Sequence, residues 1–131
     1  MTSGRMEHKP GAFEIGLVLA GAVSAGTYSA GVMDFLIEAI DRWYAVKESE
    51  VALNIPPAQR TAPTHDILLR AISGSSAGSM VAALAAVVLN EAPCAVDPAR
   101  PPARTDKTNK LYSSWVVEAD IARMLTATDI T

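Results

Sequence analysis

Arg70 to Val88 reads RAISGSSAGSMVAALAAVV: an apolar run, four serines set among two glycines, then a second apolar run. The residues leading into it, DILLRAIS (Asp66 to Ser73), are short, apolar and partly β-branched, which predicts a buried strand. Those leading out, AGSMVAALAAVVLN (Ala77 to Asn90), are alanine-rich and predict a helix. Across the junction of the two, Gly74, Ser76 and Gly78 spell G-x-S-x-G. At a junction of strand and helix that motif is the setting of a nucleophile elbow, a tight and strained turn that leaves its serine projecting.

On this reading Ser76 is the nucleophile and Gly74, Ser75, Ala77 and Gly78 form the elbow around it. Bulk at either glycine would strike neighbouring backbone. The unpaired N–H groups and positive dipole end of the helix starting at Ala77 favour an anion developing beside Ser76. Ser73 falls at the strand end and Ser79 in the first helical turn, without that placement. Two other readings compete. One is a coincidental Gly/Ser turn. The other is a membrane span over Ala71 to Leu89, nineteen uncharged residues with Gly74 and Gly78 as a G-x-x-x-G pair. Against the span stand the serines in its first half, Arg70 at its border and the lack of a flanking aromatic belt.

Upstream, EIGLVLA (Glu14 to Ala20) predicts a first buried strand and GAVSAG (Gly21 to Gly26) a loop. A helix follows from about Ala25 to Tyr44, with Val32, Leu36, Ala39, Ile40 and Trp43 as its core face. The loop has the Gly-to-Gly spacing of a nucleotide-binding loop, but Thr27 stands where the phosphate-binding lysine belongs. Its other use is an oxyanion hole built from the backbone of Gly21, Ala22, Val23, Ser24, Ala25 and Gly26, for which Ser76 supplies the nucleophile. In a parallel sheet the C-terminal ends of adjacent strands lie side by side, so the two loops explain each other.

VKESEVALNIPPAQRTAPTH (Val46 to His65) reads as a long connection, and EAPCAVDPARPPAR (Glu91 to Arg104) as a Pro-rich loop. A last helix is expected from about Trp115 to Leu125. The order strand, helix, strand, helix, helix predicts an α/β fold with a parallel sheet. Two strands do not complete such a sheet. Residues 14–131 therefore read as the N-terminal part of a domain whose remainder lies beyond the chain, with 1–13 as a tail.

The composition narrows the function. The chain has 131 residues, 50% of them hydrophobic, and a net charge of −3 with eleven scattered basic residues, which excludes a nucleic-acid surface. A single cysteine, Cys94, cannot form an internal disulfide, and no apolar leader precedes the first charges. A cytoplasmic location is the default. No metal or cofactor is expected. His8 and His65 read as bystanders.

The pair LVLAGAVSAGTYSAGVMDFLIEAI and ISGSSAGSMVAAL resembles the patatin-like phospholipase family, whose domain opens with a strand, a loop G-G-G-x-[RK]-G, a helix, and a strand entering G-x-S-x-G. The likeness covers about residues 15–89 and includes the AGV after the loop, Ala30, Gly31 and Val32. It implies a three-layer α/β/α acyl hydrolase of mostly parallel sheet that acts on lipid or related acyl esters through a Ser–Asp dyad, with transient membrane-surface contact and no histidine. Ser76 would attack the ester carbonyl; the Gly21 to Gly26 loop and the Ala77 N–H would hold the oxyanion.

Two departures stand out. Ala22 and Val23 replace family glycines and Ala25 replaces the basic residue, as in a divergent branch such as the larger bacterial patatin-related proteins. The family's base belongs to a later D-G-[GA] motif, and the chain contains no Asp-Gly pair. Asp97, Asp106, Asp120 and Asp129 lack the strand-end setting, so the base is expected outside the chain and the chain alone is expected to be inactive. A non-catalytic remnant of the same fold and a degenerate nucleotide-binding domain remain the other readings, and oligomeric state is left open.

Overall fold

The computed structural model describes residues 11–22, 25–91 and 108–119. β1 (Ala12–Leu19) and β2 (Asp66–Gly74) pair in parallel, with Ala12 opposite Asp66 and Leu19 opposite Gly74. The register shifts between Ile15 and Gly16, leaving Arg70 as the extra residue of β2. Its guanidinium reaches across to Glu14 Oε1 at 2.7 Å. β1 begins two residues before the expected Glu14.

α1 (Ala25–Ala52) joins the strands, and α2 (Ala77–Val88) follows β2 after a two-residue turn. α2 packs on both strands and α1 packs on α2. The C-terminal segment is one short helical turn, α3 (Lys110–Tyr112), running into a π-helical stretch, Ser113–Glu118, and it packs on both long helices. The buried cluster is Ala30, Met33 and Ile37 of α1, Ala77, Val81 and Ala85 of α2, and Leu111 and Trp115. Leu17, Leu19 and Ile72 meet it from one face of the sheet. On the opposite face Val18 is 83% exposed, and Gly16, Ala71 and Ser73 are exposed with it. The fold is α/β, with a two-stranded parallel sheet among the described residues.

Three expectations are corrected. α1 does not stop near Tyr44 but runs eight residues further, because KESEVA favours a helix and its side chains are anchored. Lys47 Nζ donates to the carbonyls of Thr64 (3.2 Å) and His65 (2.9 Å) and pairs with Asp66 Oδ1 (2.8 Å). The buried Glu50 accepts from the N–H (2.7 Å) and hydroxyl (2.6 Å) of Thr61 and from Ala62 N–H (3.3 Å). The remaining connection, which includes the 3-10 turn Pro57–Gln59, is thereby tied to α1.

The core face of α1 is also different. Gly26, Ala30, Met33 and Ile37 are buried; of the expected residues Leu36 packs against the core and Ile40 and Trp43 are half-buried, whereas Val32 is 46% exposed and Ala39 is exposed. Gly26 leaves room for the Trp115 ring, and Ala30, Met33 and Ile37 join the cluster formed with α2. The last helix starts at Lys110 rather than Trp115; Ile121, Met124 and Leu125 lie outside the described residues.

The membrane span is overturned outright. Residues 71–89 divide into the end of β2, a turn and the 12-residue α2. No helix among the described residues is long and apolar enough to cross a membrane.

Candidate functional site at the strand ends

Ser76 lies at φ 50°, ψ −126°, one of two non-glycine residues with positive φ among those described. Side chains avoid that region because of clashes with their own backbone, at a cost of about 1–3 kcal/mol. The strain is held by close packing on both sides. A Cβ on Gly74 would drive into the Gly78 carbonyl and, at 2.7 Å, the Ser79 nitrogen. A Cβ on Gly78 would drive into the Leu19 and Ala20 carbonyls. Both glycines are therefore required for space, as the motif implied.

A serine preceding a helix ordinarily caps it by accepting an N–H bond from the first turn. Ser76 does not: it makes no side-chain cap bond. The capping falls to its backbone, whose carbonyl accepts from Ser79 N–H (2.9 Å) and the Ser79 hydroxyl (2.6 Å). Ser75 is fixed to the sheet through its N–H to Leu19 O at 3.1 Å, and its carbonyl accepts from Gly78 N–H at 2.9 Å. Among the described residues no backbone acceptor takes the Ala77 N–H, which leaves a donor next to the uncommitted hydroxyl.

The parallel register brings the upstream loop to this point. A Cβ on Gly21 would meet the Ser75 carbonyl and, at 2.6 Å, Ser76 Cβ. Neither Gly21 nor Gly26 has positive φ, and neither does Ala22. The loop glycines are thus needed for proximity rather than for conformation, which is why Ala22 is accommodated. The six expected oxyanion residues separate into classes. The N–H groups of Ala25 and Gly26 are already bonded to Ala22 O, at 3.0 and 3.1 Å, and are not donors to a ligand. Those of Gly21 and Ala22 have no backbone acceptor among the described residues. Val23 and Ser24 lie outside the described residues.

Gly26 backs onto a residue that sequence reasoning did not connect to the site. The six-membered ring of Trp115 lies where a Gly26 Cβ would be, its Cη2 at 2.5 Å and Cε3 at 2.6 Å. The Thr27 hydroxyl donates to the Trp115 carbonyl at 3.3 Å. No spacing rule links positions so far apart in the chain.

His65 sits at the opposite end of β2, between the rings of Trp43 (5.2 Å) and Phe13 (6.5 Å), away from Ser76. His8, Cys94 and the aspartates Asp97, Asp106, Asp120 and Asp129 lie outside the described residues. An open groove of 510 Å³ borders the turn along Ser73, Gly74, Ser79, Ala82, Ala83 and Ala86. A more enclosed apolar cavity of 340 Å³ lies between α1 and the C-terminal segment, lined by residues such as Thr27, Phe35, Leu111 and Val116.

Over 108 residues the chain is 41% identical to a protein of Sinorhizobium fredii (strain NBRC 101917 / NGR234) titled "Uncharacterized protein y4iI". The match covers 79% of this chain and 14% of that relative, so the chain spans a small part of the relative's length. No family model matches the chain. No solved structure matches it either.

Proposed function

We propose that these residues carry the nucleophile and oxyanion elements of a patatin-like serine acyl hydrolase acting on lipid or related acyl esters. The observation that carries the reading is the state of Ser76: a strained positive φ at the strand-to-helix turn, a hydroxyl excused from capping, and Gly21 packed against its Cβ. A serine that served only to turn the chain would be replaced by glycine at no conformational cost.

In the reaction the Ser76 oxygen bonds to the ester carbonyl carbon and its proton passes to a base. The tetrahedral oxyanion is held by the Ala77 N–H and by donors at Gly21 and Ala22. Collapse breaks the carbonyl–alkoxy bond, the alcohol leaves with the proton, and water releases the acyl group in the mirror-image step. An unassisted hydroxyl is scarcely ionised at neutral pH, so a base is indispensable. We assign that role to an aspartate outside residues 1–131; the chain matches 14% of its relative's length.

The test uses the full-length protein with a soluble short-chain acyl ester and a fluorophosphonate label. Ser76→Ala is expected to abolish both turnover and labelling, with the melting temperature kept or raised. Turnover retained in that variant removes Ser76 from the mechanism. A wild-type protein that neither hydrolyses nor labels favours the non-catalytic remnant.

A further inference from the structure

Oxyanion donors work only when they are fixed before the reaction, within about 0.5 Å of their productive positions. At this site the Ala77 donor is fixed by α2. The donors at Gly21 and Ala22 belong to a loop, so something must hold that loop. One end is held where Gly21 meets Ser75 and Ser76. At the other end the Ala22 carbonyl accepts from both Ala25 and Gly26 N–H, so the position of Gly26 sets the position of Ala22. Gly26 in turn rests on the ring of Trp115.

The ring is itself immobilised. Trp115 is 92% buried within the cluster that contains Ala77, and its carbonyl accepts from Thr27 in the first turn of α1. It belongs to a π-helical turn, a distortion that re-aims side chains and recurs at functional sites. The segment bearing it is clamped to α1 by Asn109, whose Nδ2 donates to Asp34 Oδ1 at 2.6 Å, and by the buried Leu111. Its indole Nε1 is buried with no hydrogen-bond partner. An orphaned buried donor is destabilising, so the position is not occupied for the N–H; what tryptophan supplies is a broad rigid ring against Gly26.

We propose that Trp115 is a positioning residue for the oxyanion loop: its ring seats Gly26, and through the Gly26-to-Ala22 bond it fixes the donors at Gly21 and Ala22 opposite Ser76. The proposal rests on the acyl-hydrolase reading for its catalytic consequence, and its structural half is measurable without it. A residue acting this way changes the rate of the chemical step while leaving substrate binding alone.

The experiment compares wild type, Trp115→Leu and Trp115→Phe in the full-length protein, by turnover of the short-chain ester and by hydrogen exchange of the peptide covering residues 19–27. Trp115→Leu is expected to lower kcat at least tenfold with KM within twofold, and to speed exchange in that peptide at least tenfold. Trp115→Phe, which keeps a flat ring, is expected to retain kcat within fourfold. A folded Trp115→Leu protein with wild-type kcat, or with wild-type exchange in that peptide, overturns the proposal. Should Trp115→Leu fail to fold, Thr27→Val decides: a threefold fall in kcat at unchanged KM supports the anchor, and an unchanged kcat overturns it. A wild type inert toward the ester condemns the hydrolase reading instead, and the exchange measurement then decides the anchor by itself.

Discussion

The two ends of the sheet are built on opposite principles. At the N-terminal end Tyr44, Lys47 and Glu50 are matched to polar partners, although the Trp43 indole Nε1 is buried without one among the described residues. The Tyr44 hydroxyl accepts from Ile67 N–H (3.1 Å) and donates to the Ile67 carbonyl (2.7 Å), while Lys47 and Glu50 anchor the connection into β2. At the C-terminal end, beside backbone bonds such as Ser75 N–H to Leu19 O, the closest contacts are steric, glycine against backbone and glycine against ring, and the one hydroxyl that would be expected to cap a helix is left out of the bonding. Satisfied polar groups make a durable joint. Uncommitted ones, held in place by shape, make a site.

The largest effect expected from attacking this contrast is at Gly78. Gly78→Ala places a methyl against the Leu19 and Ala20 carbonyls, which are backbone and cannot swing away. A loss of about 3 kcal/mol, the upper part of the overpacking range, is expected in denaturant unfolding. A loss below about 0.5 kcal/mol would mean the strand ends are looser than described.

Next in size, and opposite in sign, is Ser76→Gly. Glycine takes φ 50° without strain, so stability is expected to rise by about 1 kcal/mol, and the proposed acyl-hydrolase reading adds that turnover disappears. A neutral or destabilising result would show that the site carries no stored strain, and the contrast between the two ends would fail on its most specific point.

The smallest effect is a pH dependence at the other end. Bonds from the Thr61 hydroxyl, Thr61 N–H and Ala62 N–H, with a lesser contribution from Arg60, hold the Glu50 carboxyl below its ordinary value of 4.5 against the opposing effect of burial. A depressed folded-state value means stability that is present above the unfolded-state pKa and lost as pH falls through the folded one. Melting temperature is therefore expected to fall below about pH 4.5, and Glu50→Gln to flatten that limb. Identical acid limbs in the two proteins would remove Glu50 as the anchor.

How far these ends could be read from the sequence differs for physical reasons. β1, β2, α2 and the tight turn between the last two were legible because each has a local signature: an apolar run, an alanine run, glycines two residues either side of a serine. The nearness of Gly21 to Ser76 was legible at one remove, since parallel pairing follows from element order. The extension of α1 was not, because KESE has helix propensity without apolar periodicity and its anchors lie beyond a turn. The true core face of α1 was hidden for a related reason. Burial there went to Gly26 and Ala30 as well as Met33 and Ile37, and a pattern of large aliphatics does not report glycine and alanine as part of a core face. Trp115 left no local signal at all, because its meaning lies in a contact with a residue in the first turn of α1.

That contact also orders the substitutions open to this chain over evolutionary time. Gly26 and Trp115 share one volume, so the glycine cannot gain a methyl while the indole is in place. The reverse order is permitted: a smaller residue at 115 leaves a gap that position 26 can later fill. Among descendants of this sequence the ring should be lost before the glycine is, and a lineage holding alanine at 26 beside tryptophan at 115 should be the combination drift seldom visits.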